Sequence, residues 1–264
     1  MTARDALDAA VPALSAAGCD TPRLDAELLV ASALGVERAA LVTEPGTPVP
    51  PAASRLLMEW VRRRGAREPV AYILGRKGFR RIELDVDARV LIPRPETELL
   101  VELALELPEG ARVHDVGTGS GAVALALLDE RPDLKVSASD RSAAAVAVAR
   151  ANAERLRLPL AVEVADGLPD GDYELVLANL PYVREDEWAG LEPEITRYEP
   201  RDALVAGEDG LDAIRALVAG APAGTHLALE HAPGQGEAVR SLLHAAATYE
   251  DLAGHERVTA GSVP

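Results

Sequence analysis

Residues 115–121 form a glycine-rich motif, Asp115-Val116-Gly117-Thr118-Gly119-Ser120-Gly121, from which the fold class can be predicted. A strand-like segment, 112–116, leads into it, and an apolar helical pattern begins at its last glycine. Glycines between a strand and a helix let the backbone turn tightly and approach a ligand closely, while the helix N-terminus offers unpaired N–H groups. The stretch therefore predicts the first strand-loop-helix step of a nucleoside-binding sheet.

An acidic residue follows where a nucleoside site requires one. Asp140 ends the next strand pattern, about 20 residues further on, where a carboxylate can accept both ribose hydroxyl protons. Asp166-Gly167, after the third strand pattern, is a candidate for the adenine side, with a solvated turn as the alternative. Residues 117–122 satisfy both an S-adenosylmethionine loop and the G-x-G-x-x-A dinucleotide pattern. Three alternatives stay open: S-adenosylmethionine, NAD, and a structural glycine turn.

Strand and helix patterns alternate from residue 111 to the end of the chain, which predicts a doubly wound α/β domain with a parallel sheet. The last helix pattern covers 235–246. Residues 1–70 form short amphipathic helix patterns, and 71–110 indicate a β-hairpin, with its turn at 85–89, followed by a helix. We expect three parts: a helical domain at 1–70, a linking hairpin and helix at 71–110, and an α/β domain at 111–264.

The composition limits the classes of partner and of binding site that we expect for this chain. Among 264 residues, 43 are acidic and 27 basic, giving a net charge of −16 that disfavours duplex nucleic acid. The single cysteine, Cys19, excludes an internal disulfide, and no histidine has metal-ligand spacing to another candidate, so we predict no metal. No run of apolar residues is long enough to span a membrane, and the first residues lack the pattern of a signal peptide. We expect a cytoplasmic protein.

Basic residues concentrate between residues 62 and 81, where eight cations stand against one acid. Such a cluster is typical of a solvated surface, with a patch that faces a partner as the alternative.

Asn179-Leu180-Pro181-Tyr182 follows the fourth strand pattern, at the edge where open α/β sheets bind ligands. The Asn179 side chain and the backbone of residue 180 each offer a carbonyl acceptor. Two acceptors can hold both protons of a planar NH2 group and aim its nitrogen at an electrophile, with Tyr182 packed against that plane. The alternative is an ordinary Asn-x-Pro turn.

At this point the chain resembles the HemK/PrmC protein-(glutamine-N5) methyltransferases. The resemblance spans nearly the whole chain. It rests on the glycine loop and on further stretches: Pro69-Val70-Ala71-Tyr72-Ile73-Leu74-Gly75, Leu91-Ile92-Pro93-Arg94-Pro95-Glu96-Thr97-Glu98, Glu199-Pro200 with Ala203-Leu204, Leu229-Glu230-His231, Gly234-Gln235-Gly236 and Asp251-Leu252-Ala253-Gly254.

The resemblance implies a seven-stranded Rossmann-like fold with S-adenosylmethionine as cofactor and S-adenosylhomocysteine as product. It implies methyl transfer to the side-chain amide nitrogen of the glutamine in the Gly-Gly-Gln motif of peptide chain release factors. We expect a monomer whose helical domain binds the release factor, because a small pocket alone supplies too little contact area for a large protein. Cofactor contacts are expected from Gly117, Thr118, Gly119, Ser120, Gly121, Asp140, Gly167 and Asn179, and catalytic and substrate contacts from Asn179, Leu180, Pro181 and Tyr182.

One position departs from the family pattern of Asn-Pro-Pro-Tyr. Leu180 stands where the family has its first proline, which keeps the acceptor carbonyl but loses the fixed φ and adds an N–H. Pro181 still biases residue 180 towards extended backbone. Three other functions remain as alternatives: an adenine-N6 nucleic-acid methyltransferase, an NAD-dependent oxidoreductase, and a release-factor-binding protein without catalysis.

Overall fold

The computed structural model describes residues 1–264, which divide into two compact units. The helical unit comprises residues 1–75 and 192–198, and the sheet unit comprises 76–191 and 199–264. The division expected from sequence has no counterpart to the second segment of the helical unit. Those seven residues, Glu192 to Tyr198, carry too few apolar side chains to show a period.

The helical unit buries one apolar face of each longer helix, with Leu14, Leu29 and Leu57 in its core. Thr2 caps the first helix, because its hydroxyl accepts the N–H of Asp5 while the Asp5 carboxylate accepts the N–H of Thr2 at 2.8 Å. The helices of the first segment are α1 (Ala3–Ala16), α2 (Pro22–Leu34), α3 (Ala40–Thr43), α4 (Pro51–Gly65) and α5 (Val70–Leu74).

An ion-pair network holds the second segment in the helical unit. Glu194 accepts hydrogen bonds from both Arg64 and Arg67, each at 2.6 Å, and Arg64 also donates to Asp25 at 2.7 Å. The hydrogen bond to Glu194 raises the pKa of the Arg67 guanidinium. Arg64 and Arg67 belong to the basic cluster of residues 62–81. These two cations are therefore partners within the fold rather than a solvated surface.

The sheet unit begins with an antiparallel hairpin of β1 (Arg76–Phe79) and β2 (Ile82–Asp85). The sequence predicts a turn at 85–89, and the Val90 N–H does donate to the Asp87 carbonyl there at 3.1 Å. This turn does not close the hairpin, however, because the two strands are joined at Arg80 and Arg81. Residues 90–92 form no strand. The Ile92 N–H donates instead to the Glu199 carboxylate at 3.1 Å, and Val90 and Ile92 are both buried, which explains their alternating pattern.

Seven strands form the main sheet, in the order β5-β4-β3-β6-β7-β9-β8. The strands β3 to β7 pair in parallel, and β9 lies antiparallel between β7 and β8, which confirms the predicted seven-stranded α/β fold. The strands are β3 (Arg112–Val116), β4 (Lys135–Asp140), β5 (Ala161–Val164), β6 (Leu175–Ala178), β7 (His226–Glu230), β8 (His244–Glu250) and β9 (Glu256–Ser262).

Helices follow the parallel strands, as the doubly wound pattern predicts. The longest helix of the chain, α4, has 15 residues, and no helix is long and apolar enough to cross a membrane. The remaining helices are α6 (Glu98–Leu105), α7 (Ala122–Glu130), α8 (Ala143–Leu156), α9 (Pro193–Tyr198, in the helical unit), α10 (Asp212–Gly220) and α11 (Gly236–Arg240).

The last helix is shorter than the sequence pattern indicates. A helix over 235–246 was expected, and this was wrong beyond Arg240, because residues 244–250 form the edge strand β8. Three alanines, 245–247, favour a helix by propensity. Pairing of β8 with β9 overrides that preference, with an irregular register between His244 and Ala247.

Candidate active site

A cavity of about 520 Å³ opens where β3, β4 and β6 end. Its wall is formed within six stretches of the sheet unit: residues 89–97, 115–123, 140–145, 165–167, 179–181 and 200–203. The volume lies in the range of small-molecule sites, and the position is the carboxyl edge where open α/β sheets bind ligands.

The glycine loop after β3 is held by backbone hydrogen bonds. The N–H groups of Gly117 and Thr118 both donate to the Ser139 carbonyl, at 2.9 and 3.0 Å. Gly117 and Gly119 have left-handed backbone, with φ of 73° and 57°. A Cβ at Gly119 would meet nothing within 4 Å, and Gly119 lines the cavity, so a ligand can approach the backbone here.

The other predicted cofactor glycines occupy different positions. Gly167 lines the cavity, and a Cβ there would also meet open space. Gly121 does not line the cavity. It precedes α7 with a φ of 84°, and a Cβ there would lie 2.9 Å from Leu125 Cδ1. Gly121 therefore allows α7 to begin close to the loop, where a side chain would collide with Leu125.

Ser120 connects the glycine loop to the hairpin through Asn152. The Asn152 Nδ2 donates to the carbonyls of Ser120, at 2.9 Å, and Asp85, at 3.0 Å, while its Oδ1 accepts the Asp85 N–H at 2.8 Å. Asn152 is completely buried. One carboxamide thus fixes the loop and the end of β2 together.

Asp140 holds the loop and lines the cavity at the same time. Its Oδ2 accepts the N–H of Gly119 at 3.0 Å, and its Oδ1 accepts the N–H of Ser142 at 2.8 Å. Each carboxylate oxygen has a second lone pair. The carboxylate can therefore shape the loop and still accept hydroxyl groups from a ligand.

Asp115 is a buried carboxyl beneath the loop. The Thr118 hydroxyl donates to its Oδ2 at 2.6 Å. Burial raises the pKa of Asp115 to about 7, with a smaller upward contribution from the charge of Asp140, against the hydrogen bonds from Thr118 and the Ala124 N–H. Sequence spacing gave no sign that burial raises the pKa of this first residue of the glycine stretch.

Asn179 follows β6 and lines the cavity. Its Nδ2 donates to the Thr97 hydroxyl oxygen at 2.9 Å, which leaves the side-chain carbonyl, Oδ1, as the free polar atom of the group. A free carbonyl is an acceptor, as the recognition of an NH2 group requires.

Leu180 and Pro181 also line the cavity. A Cβ at Gly117 would lie 2.9 Å from Leu180 Cδ2, so glycine at 117 and leucine at 180 pack against each other at the cavity wall. Leu180 also packs on the buried apolar cluster that contains Val116 and Leu229. The residue that replaces the family's proline is thereby fixed by packing.

Tyr182 does not line the cavity. Its hydroxyl donates to Glu230 Oε1 at 3.1 Å, and burial raises the pKa of this tyrosine. Glu230 ends β7, is 1% exposed, and its Oε2 makes no hydrogen bond in the structure. Burial raises the pKa of Glu230 to about 7, against the hydroxyls of Thr97 and Tyr182, which lower it.

Sequence reasoning assigned no site role to two parts of the cavity wall, within residues 89–97 and 200–203. Arg94 joins them, because its guanidinium donates to the Glu199 carboxylate, which also accepts the N–H of Ile92. Both stretches belong to motifs that carry the family resemblance, and this was the available signal. No group of three or more histidine, cysteine, aspartate or glutamate side chains is placed to hold a metal ion.

Two family models match the chain. The PrmC N-terminal domain matches residues 5–75, and the methyltransferase small domain matches residues 93–192. The first match coincides with the first segment of the helical unit, and the second covers the glycine loop, Asp140 and the Asn179 turn.

Relatives match over almost their full length. The release factor glutamine methyltransferase of Pseudomonas aeruginosa is 46% identical over 92% of this chain and 94% of its own. That of Xylella fastidiosa strain Temecula1 is 42% identical over 95% of this chain and 97% of its own. Among solved structures, the catalytic domain of hMettl16 in complex with MAT2A 3'UTR hairpin 6 has a TM-score of 0.51 at 16% identity, covering 69% of this chain and 75% of that one, which supports the fold alone. From identity of this extent, the chain belongs to the release factor glutamine methyltransferase family.

Proposed function

We propose that this protein transfers the methyl group of S-adenosylmethionine to the side-chain amide nitrogen of the glutamine in the Gly-Gly-Gln motif of peptide chain release factors. The observation that carries the proposal is the pair Asn179 and Leu180 at the wall of the cavity, with Asn179 Oδ1 left without a hydrogen bond because Nδ2 donates to Thr97. Names of relatives at 40% identity or more supply the substrate class.

The cavity residues fit the cofactor. The open backbone at Gly119 and Gly167 leaves room for a ligand, and the Asp140 carboxylate, at the end of β4, can accept ribose hydroxyls. Thr118 and Ser120 complete this part of the wall. When bound, the cofactor supplies an electrophilic methyl group on a sulfonium.

The protein's own residues orient the nucleophile. An amide nitrogen is a poor nucleophile because its lone pair is delocalised, so positioning must supply much of the rate. Asn179 Oδ1 and the carbonyl of Leu180 would accept the two amide protons and direct the nitrogen. Their dipoles also favour the positive charge that develops on nitrogen as the methyl group arrives. Pro181 restricts residue 180 to extended backbone and keeps its carbonyl in place.

Tyr182 would affect substrate binding indirectly, by holding the 179–182 turn in position, because it does not line the cavity. Its hydroxyl is committed to Glu230, so its ring is held at the end of the turn. We propose that Tyr182 supports the substrate-binding turn. We also propose that its ring packs against the plane of the glutamine amide when the substrate is bound.

For the helical unit we propose a docking role for the release factor. It contains no residue of the cavity wall, yet it forms more than a quarter of the chain. An enzyme that acts on one glutamine of a large protein needs more contact area than a small pocket supplies. We further propose a cytoplasmic monomer that acts on protein rather than on nucleic acid or membrane.

The decisive test is mass spectrometry of the release-factor glutamine after incubation with enzyme and S-adenosylmethionine. A gain of one methyl group on that glutamine is expected. Cofactor binding with no methylation would support the alternative of a binding protein without catalysis, and methylation of adenine in duplex DNA would support the nucleic-acid alternative.

A further inference from the structure

The Asn179 carboxamide needs its orientation specified. A carboxamide has a donor end and an acceptor end of nearly equal size, and only the acceptor end suits an incoming NH2 group. The structure places Nδ2 on Thr97 Oγ1 at 2.9 Å. Some group must make Thr97 an acceptor in that bond rather than a donor, or the carboxamide would be free to turn over.

A hydroxyl that accepts an N–H still has its own hydrogen to donate. Thr97 is 4% exposed, so water does not readily take that hydrogen. The Glu230 carboxyl lies close enough for the Thr97 hydroxyl to affect its pKa, and its buried Oε2 makes no hydrogen bond. A buried hydroxyl without an acceptor therefore lies beside a buried carboxyl oxygen without a donor.

Resting on the proposed function, we infer that Thr97 and Glu230 are positioning residues for substrate recognition: Glu230 accepts the Thr97 hydroxyl, Thr97 accepts the Asn179 amide, and Asn179 Oδ1 is left to accept the glutamine amide. The order of donors and acceptors sets the specificity. The Tyr182 hydroxyl also donates to Glu230, so both donors favour this carboxyl as the terminal acceptor.

This arrangement discriminates between glutamine and glutamate. Two carbonyl acceptors attract an NH2 group and repel a carboxylate. If the carboxamide of Asn179 were free to turn over, its NH2 group would face the substrate and donate to a glutamate carboxylate instead. The expected signature of the chain of hydrogen bonds is thus the preference for glutamine over glutamate.

The test compares two peptides that differ only in Gly-Gly-Gln against Gly-Gly-Glu. The first is measured as substrate by kcat/KM, and the second as competitive inhibitor by Ki. Thr97→Val keeps the shape of the side chain and removes the hydroxyl. We expect kcat/KM to fall about tenfold to a hundredfold, Ki for the glutamate peptide to improve relative to KM by about tenfold, and the Kd for S-adenosylmethionine to stay within about twofold.

Three further variants complete the test: a rescue, a second disruption of the same hydrogen bonds, and a control. Thr97→Ser restores the hydroxyl and should return the glutamine preference to near wild type. Glu230→Gln places an NH2 group where Thr97 needs an acceptor, so it should weaken the preference as Thr97→Val does, and it decides the matter if the valine variant fails to fold. Thr225→Val removes a hydroxyl that donates to Pro222, outside the cavity wall, and should change nothing.

The inference is overturned if Thr97→Val or Glu230→Gln, folded and binding the cofactor, lowers activity while the ratio of the two peptides stays at the wild-type value. That result would make both residues structural only. Failure of the proposed function is a separate outcome, because the wild-type enzyme itself would then leave the glutamine peptide unmethylated.

Discussion

The Asp140 carboxylate accepts the Gly119 N–H at 3.0 Å, so the acid at the end of β4 shapes the same loop with which it forms the cavity. Loss of this side chain removes a ligand contact and releases the loop. We expect Asp140→Ala to weaken S-adenosylmethionine binding by about 1.5–3 kcal/mol, as for hydrogen bonds to a charged group. Isothermal calorimetry measures the change. Asp172→Ala, at an exposed acid outside the cavity wall, is the control, and equal affinities in both variants would remove Asp140 from the site.

Asn179→Ala should act on the transfer step more than on the cofactor. Removal of one preorganised acceptor is expected to lower kcat/KM about a hundredfold for the glutamine peptide. Cofactor affinity should fall much less, since Asp140 and the glycine loop remain. The measurements are steady-state kinetics and single turnover with saturating cofactor. Normal single turnover together with collapsed cofactor binding would show that Asn179 belongs to the cofactor site alone.

Restoring the family's proline tests the departure at residue 180. The acceptor carbonyl is present with either residue, and Leu180→Pro stiffens the backbone while removing packing against Gly117. We expect activity to rise modestly or to stay unchanged in the methylation assay. A large loss would assign the leucine side chain or its N–H a role of its own.

Asp115 should make stability depend on pH. Its pKa is raised by burial to about 7, above the value near 3.8 of an unfolded aspartate, so the stabilising proton is lost as pH rises through 7. Between pH 6 and pH 8 this one group should lower the free energy of unfolding by about 1.4 kcal/mol. Urea unfolding of the wild type and of Asp115→Asn at both pH values measures it. The difference between them should grow with pH, and parallel behaviour would mean that Asp115 is ionised throughout.

The glycine loop and Asp140 were predictable because their chemistry depends on local spacing along the chain. Thr97 and Glu230 were not, since each is a single polar residue whose partner lies on a distant element, Asn179 for one and Tyr182 for the other. The same reason applies to Glu194, which meets Arg64 and Arg67 across more than a hundred residues of chain. Local sequence patterns predict helices and strands, whereas polar partners that are distant in sequence can be identified only from the structure.

Boundaries failed where two preferences competed. The alanines at 245–247 favour a helix locally, but the edge of the sheet takes them as β8. Val90 and Ile92 alternate as a strand does, and both are buried, although they lie outside any strand and only Val90 lines the cavity.

The docking role of the helical unit calls for substitutions rather than deletion. Deleting residues 1–70 would remove Arg64 and Arg67 and leave Glu194 without its partners, so activity could fall for reasons unrelated to docking. Leu56 and Met58 are apolar side chains on α4 that are 43% and 64% exposed. Exposed apolar residues of this kind are available to a protein partner.

Leu56→Asp combined with Met58→Asp should therefore raise KM for the intact release factor about tenfold or more and leave KM for a short Gly-Gly-Gln peptide unchanged, because the peptide lacks the surface with which the release factor would dock. Steady-state kinetics on both substrates measures the contrast. Leu252→Asp changes a fully exposed leucine of the sheet unit and should affect neither substrate. If the double variant weakens both substrates equally, the helical unit serves to stabilise the enzyme, and if it weakens neither, the release factor docks on a surface other than these exposed side chains of α4.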